Sequence, residues 1–483
     1  MTIAAIDQGT TSSRILFLGD NADDGRRKLV HALSLPHRQN YPKQGWVEHD
    51  GNELLGNVKR CLDAVEGLAA VGLANQGESC LAWDAADGSP LGPVIVWQDE
   101  RTADVTAAME REGCGPEVMQ RAGLPLDPYF SASKLGWIIR NNPRAGELAS
   151  AGRLRLGTTD AFFRQHLTGR FETDIATASR TSLMNIETGE WDEELCRLFG
   201  VPVDALPPIG PTSGALGDLP GGARLAASIV DQQAALYGHG CRKAGDAKIT
   251  FGTGAFAQCV TDGLRRPGKP GPLPTVAWQQ AGAPVTYALD GGVYAAAAAI
   301  NWAQGIGLFA GYGEIDAFDA PPAIDRGMVF MPALAGLGCP HWDRRVKGSW
   351  LGLELSTGPL DMMQAILEGI AMRSAEVIAS MEAEQPIAGA ISIDGGLSKN
   401  RYFTRFLAEA CERRLKISDE AELTAAGLIE MAAEAVGKHV PQADAGRIID
   451  VAATGKEASR RTRFAAARQA LRLYAGSGEA PDA

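Results

Sequence analysis

The stretch IAAIDQGTTSSRILFL, residues 3–18, decides how the rest of the chain is read. Two short apolar runs, 3–6 and 15–18, carry the β-branched and aromatic residues of paired strands. Between them lies a polar turn. Gly9 tolerates the backbone angles of a tight connection, and Thr10, Thr11, Ser12 and Ser13 offer hydroxyls and amides that surround a phosphate without adding negative charge. Asp7 stands where the first strand gives way to the turn. A carboxylate beside a phosphate cradle is repelled unless a divalent cation, Mg2+ above all, sits between them. Arg14 adds a fixed positive charge. An ordinary hairpin with a Gly-Thr turn has the same local pattern, so the decision rests on the remaining chain.

With 483 residues the chain exceeds one ordinary core, and two large domains of about 200 to 250 residues are expected. Hydrophobic residues make up 45% and charged residues 22%, the profile of a globular enzyme. The formal charge of -12 argues against a general nucleic-acid binder, which needs a basic face. Arg460, Arg461, Arg463, Arg468 and Arg472 read as the solvated face of a last helix. Eight cysteines are scattered singly with no CxxC, as in reduced cytoplasmic proteins, and the seven histidines show no zinc spacing. No apolar run reaches membrane-spanning length, so a cytoplasmic protein without membrane or nucleic-acid partners is expected.

Along the chain, NADDGRRK reads as a turn, and residues 53–70 carry apolar side chains at helical spacing from Leu54 to Leu68. VGLANQGESCLAWD is strand, polar break, strand. There Asn75, Gln76 and Glu78 interrupt two apolar runs, as at a strand end that faces a cleft. PVIVWQDERT ends its apolar run on Trp97 and then exposes Gln98, Asp99, Glu100 and Arg101. Polar groups beside an aromatic ring suit a sugar or polyol, whose hydroxyls need partners while its carbons pack on a ring. Residues 124–141 form a Pro-marked turn into a helix, and the Gly/Pro-rich residues 206–222 read as a loop. In LAASIVDQQAALYGHG, Asp231 ends an apolar run just before a helix. AKITFGTGAFAQCV, residues 247–260, repeats the opening theme of strand, Gly-Thr-Gly turn and strand. GLRRPGKP lacks the Ser or Thr of a Walker A loop and reads as a plain connection. AISIDGGLSKN is a third strand that ends in a glycine turn, and GSGEAPDA reads as a disordered tail.

In that order AIDQGTTSSR, YPKQGWVEHD, IVWQDERT, DPYFSASKLGWI, TASRTSLMNI, DQQAALYG, FGTGAF, AGLGCPHWD and DGGLSKN resemble the FGGY family of carbohydrate kinases, over essentially the whole chain. The resemblance implies an α/β fold of two actin-like, ribonuclease H-like ATPase domains with a catalytic cleft between them. The division implied is 1–238 for the polyol and the first phosphate loop, 239–475 for the nucleotide, and a disordered tail over 476–483. Carried across by motif, Asp231 is the catalytic base, and Asp7 with Asp231 is associated with the metal. Thr10, Thr11, Ser12 and Arg14 match the first phosphate loop, and Gly252, Thr253 and Gly254 the second. Ala297, Asn301, Gly396 and Asn400 fall on further nucleotide positions. Glu78, Trp97, Tyr129, Asp231, Gln232 and Phe256 fall on substrate positions. One position departs: the family's Asn-Gln-Arg-Glu-Thr is here Asn75, Gln76, Gly77, Glu78, Ser79, and loss of the arginine is expected to open volume beside Glu78 and Trp97.

The activity implied is ATP- and Mg2+-dependent phosphorylation of a terminal hydroxyl of glycerol or a closely related small polyol. A kinase for a longer polyol or ketose, such as erythritol or xylulose, is the rival that Gly77 favours. An actin-like or Hsp70-like nucleotide switch is the rival of another class, and it has no use for the set Glu78, Trp97, Tyr129 and Asp231. A homo-oligomer stays open.

Overall fold

In the computed structural model, which describes residues 2–19, 28–268, 270–440 and 446–477, the opening hairpin pairs β1 (Thr2–Gln8) antiparallel with β2 (Ser12–Leu18), Asp7 lying opposite Arg14. The chain divides into two units. The first takes Met1–Gly240, Pro274–Tyr287 and Glu422–Asp444; the second takes Cys241–Leu273, Ala288–Ala421 and Ala445–Ala483.

In the first unit, β3 (Leu29–Pro36) pairs antiparallel with β2, and β4 (Leu68–Asn75) pairs parallel with β1. β5 (Ser213–Asp218) and β6 (Arg224–Val230) complete a sheet of order β5-β6-β4-β1-β2-β3, with β6 parallel to β4 and antiparallel to β5. In the second unit, β7 (Ala247–Phe251) and β8 (Ala255–Val260) form the echoing hairpin. β9 (Thr286–Val293) pairs antiparallel with β8, and β10 (Ile391–Gly395) pairs parallel with β7. β11 (Leu415–Ile417) is parallel to β10, and β12 (Arg447–Ile449) is antiparallel to β11. Both sheets therefore repeat one pattern of pairing over six strands, and Leu273–Trp278 is a seventh strand of the second sheet with no counterpart in the first.

Each sheet buries its own core: Ile6, Ile15, Leu54, Val58, Leu73, Trp83 and Phe162 in the first unit, and Ile249, Phe251, Phe330, Ile366, Ile370 and Phe403 in the second. The Leu423–Ala435 helix belongs to the first unit although it comes from the far end of the chain. It packs closely because glycines let it: a Cβ on Gly72 would lie 2.9 Å from Leu428, and one on Gly427 would collide with the carbonyl of Ala234.

Four readings need correction. The helix after the first hairpin covers only Gly51–Asp63, since Gly67 at φ +66° turns the chain and Leu68 opens β4. The Gly/Pro-rich loop contains β5, an edge strand recruited by β6 despite its weak propensity. Arg460 and Arg468 are not solvated: Arg460 is 5% exposed on Asp325 and Glu409, and Arg468 pairs with Glu376. Asp99 and Arg101 are not exposed either; the buried Arg101 guanidinium pairs with Asp99 and with Glu48, and lies 3.8 Å over the Trp46 ring. NADDGRRK, apart from Lys28, lies outside the described residues, as does the tail beyond Ser477, while Gly476 closes the Glu457–Gly476 helix.

All eight cysteines are free thiols. Among the described residues no helix is long and apolar enough to cross a membrane.

Candidate active site

The first turn is fastened from behind by a single residue. His37 donates its amide to the Thr11 carbonyl at 3.2 Å, and its ring Nε2 meets the Thr10 carbonyl at 2.9 Å. Burial pushes the His37 pKa down, which keeps this ring neutral. A trans peptide points its C=O and the next N–H in opposite directions, so a Thr10 carbonyl held by His37 directs the Thr11 amide away from the protein body. Gly9 is not at positive φ, and a Cβ there would meet only the Ser12 carbonyl at 3.7 Å. Its lack of a side chain serves open space above the turn, and not the turn's angles.

Arg14 Nη2 lies 2.5 Å from Asp7 Oδ2, and Nη1 lies 3.0 Å from Glu422 Oε2. Burial works against the guanidinium charge, yet the two carboxylates outweigh it and hold the Arg14 pKa above its ordinary value. Arg14 is thus a permanent cation that arrives already oriented.

Glu78 and Asp231, two of the residues expected at the acceptor, stand at neighbouring strand ends of this same unit, whereas Phe256 belongs to the second unit. Val230, the last residue of β6, pairs with Asn75, the last of β4, so Asp231 and the Gln76–Glu78 segment leave the sheet side by side. Asp231 opens the Asp231–Gly238 helix, where amide dipoles favour negative charge, and its Oδ1 accepts the Gln232 amide at 2.7 Å. Glu78 is 4% exposed and held at φ +60°, a left-handed conformation that costs a non-glycine residue about 1 kcal/mol or more. Two contacts keep it there: Arg180 Nε on Glu78 Oε1 at 2.7 Å, and Ser131 Oγ on the Glu78 carbonyl at 2.9 Å.

Trp97 and Tyr129 meet edge to face, with ring centroids 5.5 Å apart. The Trp97 amide donates to Ser79 Oγ at 3.1 Å, and its indole Nε1 donates to Thr10 Oγ1 at 3.1 Å. Lys134, fully buried, donates to the carbonyls of Trp97 at 3.2 Å and Tyr129 at 2.9 Å, clipping both walls with one ammonium. Burial pushes its pKa down to about 8. At Gly77 a Cβ would stand 2.9 Å from Val230 Cγ1, so a side chain there must displace a valine methyl.

In the second unit the Gly252–Gly254 turn is also tied by its carbonyls. Thr253 O accepts from the amides of Ala296 at 2.9 Å and Ala298 at 3.1 Å, and Gly252 O accepts from Ala297 at 3.1 Å. Phe256 covers the inner glycine, its ring 3.2 Å from where a Gly254 Cβ would sit. Asn301 is exposed, with the Tyr312 hydroxyl 3.4 Å from its Oδ1. Asn400 helps to hold the fold: its Oδ1 caps the Arg401–Cys411 helix at Phe403 N, and its Nδ2 donates to Ile315 O, both at 2.7 Å.

Glycine placement fits a nucleotide. Gly252 meets only the Gly254 carbonyl, at 3.9 Å, and Gly396 meets nothing within 4 Å of an added Cβ, so both leave bare backbone for a ligand to approach. Gly395 is needed by the fold itself, at φ +88° and against the Phe251 carbonyl. Among the described residues no group of three or more His, Cys, Asp or Glu side chains could hold a metal by itself. Mg2+ carried by phosphates needs only one or two protein carboxylates, and Asp7 and Asp231 can supply them.

Arg180, His37 and Lys134 carry the architecture of this site, yet the sequence singled out none of them for a role. Arg180 lies in a hydroxyl-rich stretch without periodicity, and its partner Glu78 is distant in sequence.

A phosphate turn repeated in each unit, beside a cluster suited to hydroxyl groups in only one, is the organisation of an α/β kinase that phosphorylates a small alcohol. Comparison with known proteins agrees. The model of the N-terminal domain of the FGGY family of carbohydrate kinases matches residues 2–230, and that of its C-terminal domain matches residues 247–436. A glycerol kinase of Haloferax volcanii is 37% identical over 462 residues, 90% of each chain. One of Alkalilimnicola ehrlichii is 39% identical over 452 residues, again 90% of each. Among solved structures, glycerol kinase of Plasmodium falciparum with ADP superposes over 98% of each chain with a TM-score of 0.87 and 26% identity. A ligand-bound xylulose kinase from Lactobacillus acidophilus shares the fold over 99% of each chain, with a TM-score of 0.87 and 21% identity. The chain belongs to the FGGY family of carbohydrate kinases. It is an ATP-using phosphotransferase with an alcohol group as acceptor.

Proposed function

We propose that this kinase phosphorylates a terminal hydroxyl of glycerol or a closely related small polyol. The observation that carries the reading is the placement of Glu78, Asp231 and Gln232 beside adjoining strand ends of one unit, with the Trp97–Tyr129 ring pair tied to the Thr10 turn through the indole N–H. Trp97 and Tyr129 give carbon atoms a wall, Glu78 accepts hydroxyl protons, and Asp231 is the general base that takes the proton of the attacking hydroxyl. Thr10, Thr11, Ser12 and Arg14 receive phosphate oxygens on one unit. Gly252, Thr253 and Gly254 do so on the other, with Ala297, Asn301, Gly396 and Asn400 toward the nucleoside and Phe256 toward the acceptor. The division of labour follows residues 1–238 and 239–475. Mg2+, when bound with ATP beside Asp7 and Asp231, neutralises charge on the transferred group. Glycerol kinases at 37% and 39% identity support glycerol over a ketose.

The test is ATP-dependent phosphorylation by the purified protein of glycerol, erythritol, xylitol and xylulose, compared by kcat/KM. Glycerol should lead. A preference for xylulose or erythritol by tenfold or more refutes the proposal.

A further inference from the structure

The contact between Trp97 and Thr10 has only one polarity. An indole N–H donates and cannot accept, whereas a hydroxyl has one proton and two lone pairs. At 3.1 Å, Thr10 Oγ1 is therefore the acceptor, and its own proton must point elsewhere. The Thr10 carbonyl is already fixed by His37, so the direction of that hydroxyl is set by the indole. The indole in turn is held at its amide by Ser79, at its carbonyl by Lys134, and along its edge by Tyr129. The ring thus meets the Thr10 hydroxyl through its N–H and Tyr129 along its edge.

We propose that the Trp97 indole N–H is a positioning group that couples the two sites: an acceptor packed on the ring fixes the ring, and the ring aims the Thr10 hydroxyl proton at a phosphate oxygen. The coupling is reciprocal, as any equilibrium linkage must be, so nucleotide tightens acceptor by the same factor. The proposal rests on the reading of Thr10 as a phosphate contact and goes beyond it. It assigns to Trp97 a second task, separate from packing against the acceptor.

The experiment measures the Kd of ADP with and without saturating glycerol by calorimetry, and the Kd of glycerol with and without ADP, in the wild-type protein, Trp97→Phe, Thr10→Val and the double variant. Phenylalanine keeps an aromatic wall and removes the N–H. The coupling factor should fall by about three- to tenfold in Trp97→Phe, the range of one hydrogen bond. Thr10→Val should lower it equally, and the double variant no further. Full coupling retained in Trp97→Phe overturns the proposal, as does a wild-type protein whose two sites bind independently. Failure of the underlying reading looks different: Thr10→Val would then leave the Kd of ADP unchanged when glycerol is absent.

Discussion

Adding one methyl group at Gly77 should damage catalysis through a neighbour and not through the substrate. The Cβ of Gly77→Ala would stand 2.9 Å from Val230 Cγ1, whereas carbon atoms rest at about 3.5 to 4.0 Å. Val230 is 3% exposed and β-branched, with one strongly preferred rotamer, so it yields by moving its backbone. That backbone ends β6 and precedes Asp231, the proposed base. Overpacking of this kind costs about 1 to 3 kcal/mol, a loss in Tm of about 2 to 12 °C for a unit of this size. A displacement of Asp231 by a fraction of an ångström should lower kcat by about tenfold, given that about 1 Å costs about a hundredfold. The assay is kcat and KM for glycerol together with thermal melting, for Gly77→Ala, Val230→Ala and the pair. Val230→Ala alone loses stability by leaving a cavity, so recovery of both Tm and kcat in the pair identifies the contact as the cause. A Gly77→Ala protein that melts and turns over like wild type refutes the reasoning.

Three further outcomes are expected. Asp231→Asn keeps shape but removes the proposed base, and turnover should fall by at least about a hundredfold with the Kd of ADP unchanged; near-normal turnover would falsify the assignment. Thr253→Val keeps the carbonyl that Ala296 and Ala298 hold and deletes only the hydroxyl, so ADP should weaken by about ten- to a hundredfold while glycerol holds; the reverse pattern would show that this turn faces the acceptor. Lys134 binds its proton less tightly in the folded chain, at about 8, than at the ordinary 10.5 of the unfolded one. Between those values the unfolded state carries more protons, so stability rises with pH across the window; Lys134→Met should abolish that rise in urea midpoints, and parallel curves for the two proteins contradict it.

The hairpins were legible because a period of two flanking a Gly-Thr turn is a local signal, and residues 3–18 and 247–260 hold all of it. The Leu423–Ala435 helix, and its place in the first unit, was not read from the sequence. Its contacts are glycine and alanine surfaces, Gly72, Gly238 and Gly427 among them, and small residues carry no directional code. The acceptor cluster was readable residue by residue from the motifs that hold it. What orders it was not, since His37, Lys134 and Arg180 act through hydrogen bonds that include partners 27, 37 and 102 positions away. Gly77 reads in a sequence only as the absence of a side chain, whereas the structure sets Val230 Cγ1 2.9 Å from where its Cβ would lie.

The two turns show how one backbone device serves two chemically different surroundings. In the first unit the carbonyls of Thr10 and Thr11 are held by the ring and amide of His37; in the second, those of Gly252 and Thr253 are held by the amides of residues 296–298. The donors share no sequence likeness, but the consequence is common. Because a trans peptide opposes its C=O and N–H, tying down a carbonyl aims the following amide outward, and this applies to Thr11 in one turn and to Thr253 and Gly254 in the other. Outward amides of successive residues make an anion-binding concavity that carries no net charge. A family pattern therefore has to preserve the Gly-Thr turn itself, whereas the group behind it is free to vary provided it donates hydrogen bonds. His37 fills that place by supplying two donors from one residue, and burial lowers its pKa, which keeps the ring neutral behind the turn.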